Sequence, residues 1–156
     1  MYWRGIVHDL SKFLPSEFLP YARHFYAPDG TQLSGKRNEK GYYKPIDTGD
    51  SAFDYAWFLH QKRNKHHWQY WCIPKDDGGT KALSMPTTYT AEMLCDWKGA
   101  KMAQRANDTM HSWWDENRQK MTFHVEAEED ICHMLNMWFP DGGKSRHPTA
   151  PIPREA

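Results

Sequence analysis

A histidine next to an aspartate near the start of the chain raises the question of a metal site. His8 and Asp9 follow a short apolar stretch in MYWRGIVHDLSKF. Neutral imidazole and carboxylate groups are common ligands of divalent metals, but one such pair also arises by chance in many chains. The pair therefore indicates a metal site only if other parts of the sequence supply further ligands.

A second set of candidates lies in SAFDYAWFLHQKRNKHHWQYW, which we expect to form one helix over 51–72. Successive residues turn an α-helix by about 100°, and this rotation places six side chains in one narrow stripe. The stripe comprises Phe53, Trp57, His60, Asn64, His67 and Trp71. His66 falls on another face of this helix, where we expect it at the surface or the rim.

Three polar side chains in an otherwise aromatic stripe need partners if the stripe is buried. Hydrogen bonds to neighbouring helices could satisfy His60, Asn64 and His67, and for any single histidine we favour this arrangement. A metal ion would satisfy the two inward histidines together. The stripe therefore indicates a metal site more strongly than an all-aromatic stripe would.

Carboxylates on a later helix could complete such a shell. Glu92 and Asp96 are four residues apart in TYTAEMLCDWKGAKMAQR, so they share one helix face. Exposure to solvent would explain Glu92, whereas Asp96 stands in a largely apolar stretch and needs a cation or a donor. Iron, manganese, zinc and magnesium ions accept mixed shells of histidine and carboxylate.

The elements that must position these side chains are expected to be helices. The predicted helices cover residues 2–9, 20–26, 51–72, 88–105, 109–121 and 124–138, with a possible break near Asn107 and Asp108. A long loop rich in Gly, Asp, Lys and Pro is expected over 27–50, and no period-2 strand pattern with a hairpin turn is present. The fold class is therefore all-α, with one helical domain over 1–139 and a flexible tail over 140–156.

Composition excludes several classes of function. The chain has 156 residues with 20 Lys and Arg against 20 Asp and Glu, and this balance disfavours nucleic-acid binding. No apolar run approaches the roughly 18 residues that span a bilayer, and no signal peptide is recognisable, so we expect no membrane partner. Three widely spaced cysteines without a CxxC pair favour a reduced, cytoplasmic setting, with the thiols as small core residues.

The order of His8 and Asp9, then His60 and His67, then Asp96 resembles the HD-domain superfamily of metal-dependent phosphohydrolases. The superfamily pattern is a histidine on a first helix, a His-Asp pair, further histidines in some members, and a late helical aspartate. The resemblance implies a compact HD-type helical bundle and one or more divalent ions (Mn, Fe, Mg or Zn).

A narrower resemblance covers residues 2–100. The strings HDLSKFLPSEFLPY, NKHHWQYW and MPTTYTAEMLCDW are similar to an uncharacterised phage and bacterial family of unknown function. This resemblance implies no activity, and it implies the cytoplasm of a bacterial host if the chain is phage-encoded.

The chain departs from the superfamily pattern at two positions. No histidine precedes His8, so either the first ligand is missing, the chain starts downstream of the usual start, or another residue such as His24 substitutes for it. Lys12 stands three residues after the aspartate, where some HD enzymes have a glutamate. We therefore assign catalytic roles to Glu17, as a possible base, and to Lys12, which could neutralise phosphate oxygens.

The resemblance implies a phosphohydrolase that acts on a nucleotide or another small phosphorylated molecule. His8, Asp9 and Asp96 would hold a first metal, and His60 and His67 would hold a second or orient the substrate.

The substrate-binding side chains would be Asn64, Arg63, Trp71 and Glu92. Arg63 could bind phosphate through a bidentate fork, and Trp71 could stack on a base. The loop over 27–50 could close over the site as a lid.

Two other functions remain as alternatives. An HD-type di-iron oxygenase would retain iron and show an optical band that responds to oxygen. A non-catalytic phage-type protein would bind a host partner or a nucleotide. In that case alanine at His67 or Asp96 would lower thermal stability without abolishing a function. The sequence does not indicate an oligomeric state.

Overall fold

The computed structural model describes residues 2–33, 39, 48–106 and 108–140. In this part of the chain there are six α-helices and one two-stranded sheet. The helices are α1 (Tyr2–Val7), α2 (Pro15–Phe25), α3 (Ser51–Arg63), α4 (Thr87–Ala103), α5 (Met110–Asn117) and α6 (Val125–Trp138). Short 3-10 helices cover Leu10–Phe13, Trp68–Trp71 and Arg118–Lys120. The prediction of a mostly helical protein is therefore confirmed.

A short hairpin departs from the all-α prediction. Strand β1 (Cys72–Pro74) pairs in antiparallel fashion with β2 (Thr80–Ala82). Gly78 and Gly79, in the connecting turn, have φ angles of 95° and 78°, which glycine adopts without steric cost. Three-residue strands are too short to show a period-2 pattern, so the absence of such a pattern from the sequence did not exclude a hairpin.

Helix α3 ends at Arg63, well before the end of the helix predicted over 51–72. Asn64 has an extended backbone, with φ −107° and ψ 112°. Its side-chain amide donates to the carbonyl oxygen of His60 at 2.8 Å, a local bond of the kind that competes with helix continuation. The residues after Asn64 therefore leave the helix axis.

Helices α4, α5 and α6 correspond to the helices predicted over 88–105, 109–121 and 124–138. The chain leaves the helical conformation after α4, as the break near Asp108 predicted. Thr109 then begins α5 with a capping box, in which its hydroxyl accepts from the backbone N–H of Ser112.

The apolar core lies among these three helices and the segments next to them. Its buried side chains are Met85, Ala91, Met93, Leu94, Met110, Trp114, Phe123, Ala127, Ile131, Met134 and Leu135. Helix α2 packs against α3 on another side of the molecule, where Phe53 and Ala56 are buried. Two polar side chains, Glu17 and His60, are buried in the same region.

The exposed Cys95 corrects a second expectation. All three cysteines are free thiols, and Cys72 and Cys132 are half-buried. The buried face of α4 includes Thr90 and Leu94, and Cys95 follows Leu94 by about 100° around the helix. Its thiol is therefore not a core residue.

Most of the loop predicted over 27–50 and most of the tail over 140–156 lie outside the described residues, and so does the proposed lid. At the start of the loop, Tyr26 and Gln32 form an isolated bridge. None of the helices described in the structure is long and apolar enough to cross a membrane.

Candidate metal centre

His8 and Asp9 lie just after α1, on the turn that leads into the first 3-10 helix. His8 Nδ1 lies 2.8 Å from the carbonyl oxygen of Gly5, so Nδ1 is the donor of this pair. The Nε2 atom of His8 lies 3.6 Å from Asp9 Oδ2 and 3.8 Å from Asp96 Oδ1. The three side chains form a first group, with ligand atoms within 4.8 Å of one another.

Asp9 also faces three histidines, which form a second group with it. Its Oδ1 atom lies 3.4 Å from His60 Nε2 and 3.6 Å from His66 Nε2. The His67 ring lies edge-on to His60 and tilted against His66, with ring centroids 4.7 Å and 4.3 Å apart. One ligand atom from each of the four residues lies within 4.8 Å of the others. Asp9 thus belongs to both groups.

The prediction that His66 lies at the surface or the rim was wrong, because only 2% of this residue is exposed. That prediction extended the helical rotation through residue 72, whereas α3 ends at Arg63. The extended backbone at Asn64 redirects the chain, and the adjacent His66 and His67 both reach the neighbourhood of Asp9.

Four buried atoms of the second group have no hydrogen-bond partner among the described residues. They are Asp9 Oδ1 and the Nε2 atoms of His60, His66 and His67. A buried polar atom without a partner costs roughly 1–3 kcal/mol, and native structures contain few of them. A divalent cation placed among these atoms would satisfy all four together, since a carboxylate oxygen and neutral imidazole nitrogens each offer a lone pair.

Three side chains hold the other edge of the His60 ring. Its Nδ1 atom lies 3.0 Å from Glu17 Oε2, 3.2 Å from Ser11 Oγ and 3.1 Å from Asn64 Nδ2. When Nδ1–H donates to the carboxylate, the lone pair is on Nε2, which faces Asp9. Metal-binding histidines commonly donate their second N–H to a carboxylate in this way.

Glu17, the predicted base, is completely buried. Arg63 Nη1 donates to its Oε1 at 2.6 Å, and Ser11 Oγ donates to its Oε2 at 2.9 Å. Burial alone would raise the pKa of Glu17, but the bonds from Arg63, Ser11 and His60 outweigh it and lower that pKa. The role of Glu17 as a catalytic base stays a prediction. Its hydrogen bonds in the structure are those of a charged carboxylate that orients the His60 ring.

The protonation states of the second group suit metal ligands. Burial lowers the pKa of His60 and His66, and burial together with the two neighbouring imidazoles lowers the pKa of His67 to about 3. Burial would raise the pKa of Asp9, but the hydrogen bond and the charge of Lys12 lower it. Three neutral imidazoles and one carboxylate are therefore present at neutral pH.

Glu92 lies beside His66, but on the far side of the ring from its ligand atom. Its Oε1 atom is 3.7 Å from His66 Nδ1, and its Oε2 atom accepts from Arg4 Nε at 3.0 Å. The Arg4 guanidinium lies over the ring of Tyr89, 4.4 Å from the centroid. Glu92, which the sequence analysis assigned to substrate binding, is thus paired with Arg4 and lies beside the His66 ring. Both Glu92 and Asp96 occupy the face of α4 opposite the core.

The other predicted site residues differ in how close they come to this centre. Lys12 Nζ donates to Asp9 Oδ2, so the structure brings Lys12 to both groups. Trp71 Nε1 donates to the carbonyl oxygen of Lys65 at 2.8 Å, and its ring packs against Tyr89 at 5.8 Å. Trp71 therefore anchors the segment that carries His66 and His67.

His24, considered above as a substitute for the first histidine, does not join either group. Its Nδ1 atom lies 3.1 Å from Asp50 Oδ2, and its ring stacks on Phe53 with centroids 3.9 Å apart.

Sequence reasoning missed His66, Ser11 and Arg4 as members of the site. The position of His66 could have been found from the sequence, because the His66–His67 pair follows an asparagine, Asn64, and asparagine often ends helices. No local sequence pattern indicated the roles of Ser11 and Arg4, since these roles depend on contacts with distant parts of the chain.

The model of a family of unknown function, DUF5662, matches residues 1–138. No match was found among curated proteins or among solved structures.

Proposed function

The chain belongs to the DUF5662 family, and we propose that it is a metal-dependent phosphohydrolase of HD type that acts on a nucleotide or another small phosphate ester. One observation carries the proposal: the side chains of Asp9, His60, His66 and His67 lie together, and four of their buried atoms have no hydrogen-bond partner in the described part of the chain. A bound cation is the simplest group that satisfies four acceptors at once.

The shared position of Asp9 supports a centre for two cations. Its Oδ1 atom faces His60 and His66, whereas its Oδ2 atom faces His8. A carboxylate with one oxygen toward each group can bridge two metal ions. Two-metal sites of this kind are common among enzymes that cleave phosphate esters.

The donor sets narrow the choice of metal. Asp9 with three imidazoles favours zinc, iron or manganese over magnesium, which prefers oxygen ligands. The group of His8, Asp9 and Asp96 has two carboxylates and suits manganese or magnesium as well. A mixed pair of ions is therefore compatible with the two sets.

Such ions, when bound, would lower the pKa of a water molecule and stabilise charge on a phosphoryl oxygen. The chain's own cation at this point is Lys12, whose partly exposed ammonium pairs with Asp9. A metal ion that takes Asp9 would release Lys12 to bind an oxygen of an anionic substrate.

The opening of the site supports a hydrolytic role. His8, Asp9 and Asp96 have side chains that are 22–30% exposed, while His60 and His66 are almost completely buried. Water and a small anion can therefore approach from the side of the first group, where Lys12 also lies.

The test is phosphate release from a panel of nucleoside mono-, di- and triphosphates and p-nitrophenyl phosphate. The wild type would be loaded in turn with manganese, iron, zinc and magnesium. We expect turnover with at least one metal, and its loss in His66→Ala and Asp96→Ala. The matched control is His133→Ala, which removes an exposed histidine on α6 and should leave turnover unchanged.

If no substrate in the panel releases phosphate with any of the metals, the hydrolytic assignment is contradicted. Oxygen consumption by an iron-loaded protein under those conditions would favour the oxygenase alternative instead.

A further inference from the structure

The hydroxyl of Tyr21 is a buried donor without a partner among the described residues. Tyr21 follows Glu17 by four residues on α2, so the two side chains share the face that packs on α3. The phenol ring lies edge-on to the ring of His60, with centroids 6.4 Å apart, and edge-on to Phe53 at 5.1 Å. Tyr21 is thus next to the metal centre.

The nearby carboxylate oxygens do not satisfy this hydroxyl. Both oxygens of Glu17 are already bound to other donors, which are Ser11, His60 and Arg63. Burial raises the pKa of Tyr21, and the negative charges of Glu17 and Asp9 raise it further, so the phenol keeps its proton. Buried tyrosine hydroxyls usually have a hydrogen-bond partner.

The buried atoms without a partner around the metal centre include both hydrogen-bond acceptors and a hydrogen-bond donor. Four of them, Asp9 Oδ1 and the three histidine Nε2 atoms, are acceptors that suit a cation. The Tyr21 hydroxyl has a proton to donate, which a cation cannot accept but an oxygen atom can. An oxyanion bound to the cation would supply that oxygen.

We infer that Tyr21 is a substrate-binding residue whose hydroxyl donates a hydrogen bond to an oxygen of the phosphoryl group held at the metal centre. This inference rests on the proposed function. Tyr21 would thus be a neutral hydrogen-bond donor among the charged groups of the site, and helix α2 would contribute to binding of the anion.

The test compares the wild type with Tyr21→Phe, which removes only the hydroxyl. Both proteins would be loaded with manganese, and inorganic phosphate would be titrated into them in a calorimeter. We expect equal metal content and phosphate binding about fivefold weaker in the variant, the loss for one neutral hydrogen bond. The matched control is Tyr55→Phe on the exposed side of α3, which should bind phosphate as the wild type does.

Thermal unfolding of the metal-free proteins separates binding from a structural role. Because the hydroxyl has no partner in the described structure, Tyr21→Phe should melt at the same temperature as the wild type or higher. A clear fall in melting temperature would overturn the inference, because it would reveal a structural hydrogen bond.

The remaining outcomes are equally decisive. Equal phosphate affinity in two metal-loaded proteins would overturn the role of Tyr21 alone and indicate that a buried water satisfies the hydroxyl. A wild type that holds no metal would overturn the proposed function and this inference together.

Discussion

The Nδ1 atom of His60 donates to Oε2 of Glu17 across 3.0 Å, and both side chains are almost completely shielded from solvent. The ring's other nitrogen, Nε2, points to Asp9 and has no hydrogen-bond partner among the described residues. A buried carboxylate that fixes the tautomer of a histidine leaves the second nitrogen free to accept a cation. This pair connects α2 and α3 to the candidate centre.

Replacement of Glu17 should weaken metal binding without removing a ligand. Glu17→Gln keeps the shape of the side chain but removes the charge that orients His60, and we expect metal affinity to fall about 10- to 100-fold. Competition with a chromophoric chelator measures this affinity. Glu129→Gln, an exposed change on α6, is the control, and equal affinity in the two variants would contradict the role given to Glu17.

Asn64 should contribute to both stability and metal binding. Its amide donates to Ser11 Oγ at 2.7 Å and to the carbonyl oxygen of His60 at 2.8 Å. Asn64→Ala should lower the free energy of unfolding by about 1 kcal/mol and weaken metal binding, because the segment with His66 and His67 loses one of its two anchors. Urea unfolding and chelator competition would measure the two effects, beside Gln119→Ala as an exposed amide control.

Removal of the Lys12 charge should weaken anion binding but should not weaken metal binding. Lys12→Gln removes the ammonium that pairs with Asp9 and competes with a cation for this carboxylate. We expect unchanged or tighter metal binding at pH 7.5 and several-fold weaker binding of inorganic phosphate, both measured by calorimetry. A variant that loses its metal would show that Lys12 supports the ligands instead of competing for them.

Metal binding should stabilise the fold. A ligand that binds only the folded state adds about 2.7 kcal/mol at one hundred times its dissociation constant. The melting temperature of the wild type should therefore rise with added zinc or manganese and return to its metal-free value with a chelator. Asp9→Asn should show little of this rise, and an equal rise in that variant would place the ions elsewhere.

Asp50 should give the start of α3 a pH-dependent stability. Its carboxylate accepts from the backbone N–H of Phe53 at 3.1 Å, and this bond, with that to His24, lowers its pKa below the ordinary value of 3.8. The stabilisation is thus complete above that value and is lost as the pH falls through the lower pKa of the folded state. Asp50→Ala should cost about 1 kcal/mol at pH 7.

Urea unfolding at pH 7 and below pH 4 checks this expectation. The difference between wild type and Asp50→Ala should narrow at the lower pH, while Asp76→Ala in the exposed turn should match the wild type at both. A difference that stays constant with pH would mean that Asp50 does not act through its charge.

The helices predicted over 88–105, 109–121 and 124–138 correspond to α4, α5 and α6 in the structure. The sequence analysis grouped His60 with His67 because it placed both on one helix. In the structure α3 ends at Arg63, between these two residues, so the reason was only partly right. The same error placed His66 at the surface. Side-chain competition at Asn64 is a local effect that helical periodicity does not register.

The surroundings of the site could not be predicted in the same way. Glu17 gained its buried position from contacts with His60 and Arg63, more than forty positions away in the chain. Arg4 on α1 likewise meets Glu92 on α4, 88 positions away in the chain. Such contacts depend on the arrangement of helices, so residue spacing identified possible ligands but not the groups that orient them.

The most direct test of the metal centre is elemental analysis of the purified protein after loading and dialysis. The wild type and His133→Ala should retain at least one transition-metal ion per chain, and His66→Ala should retain clearly less. His66 is the decisive position because only the folded structure places it beside Asp9. A wild type without metal, or an unchanged metal content in His66→Ala, would contradict the centre described here.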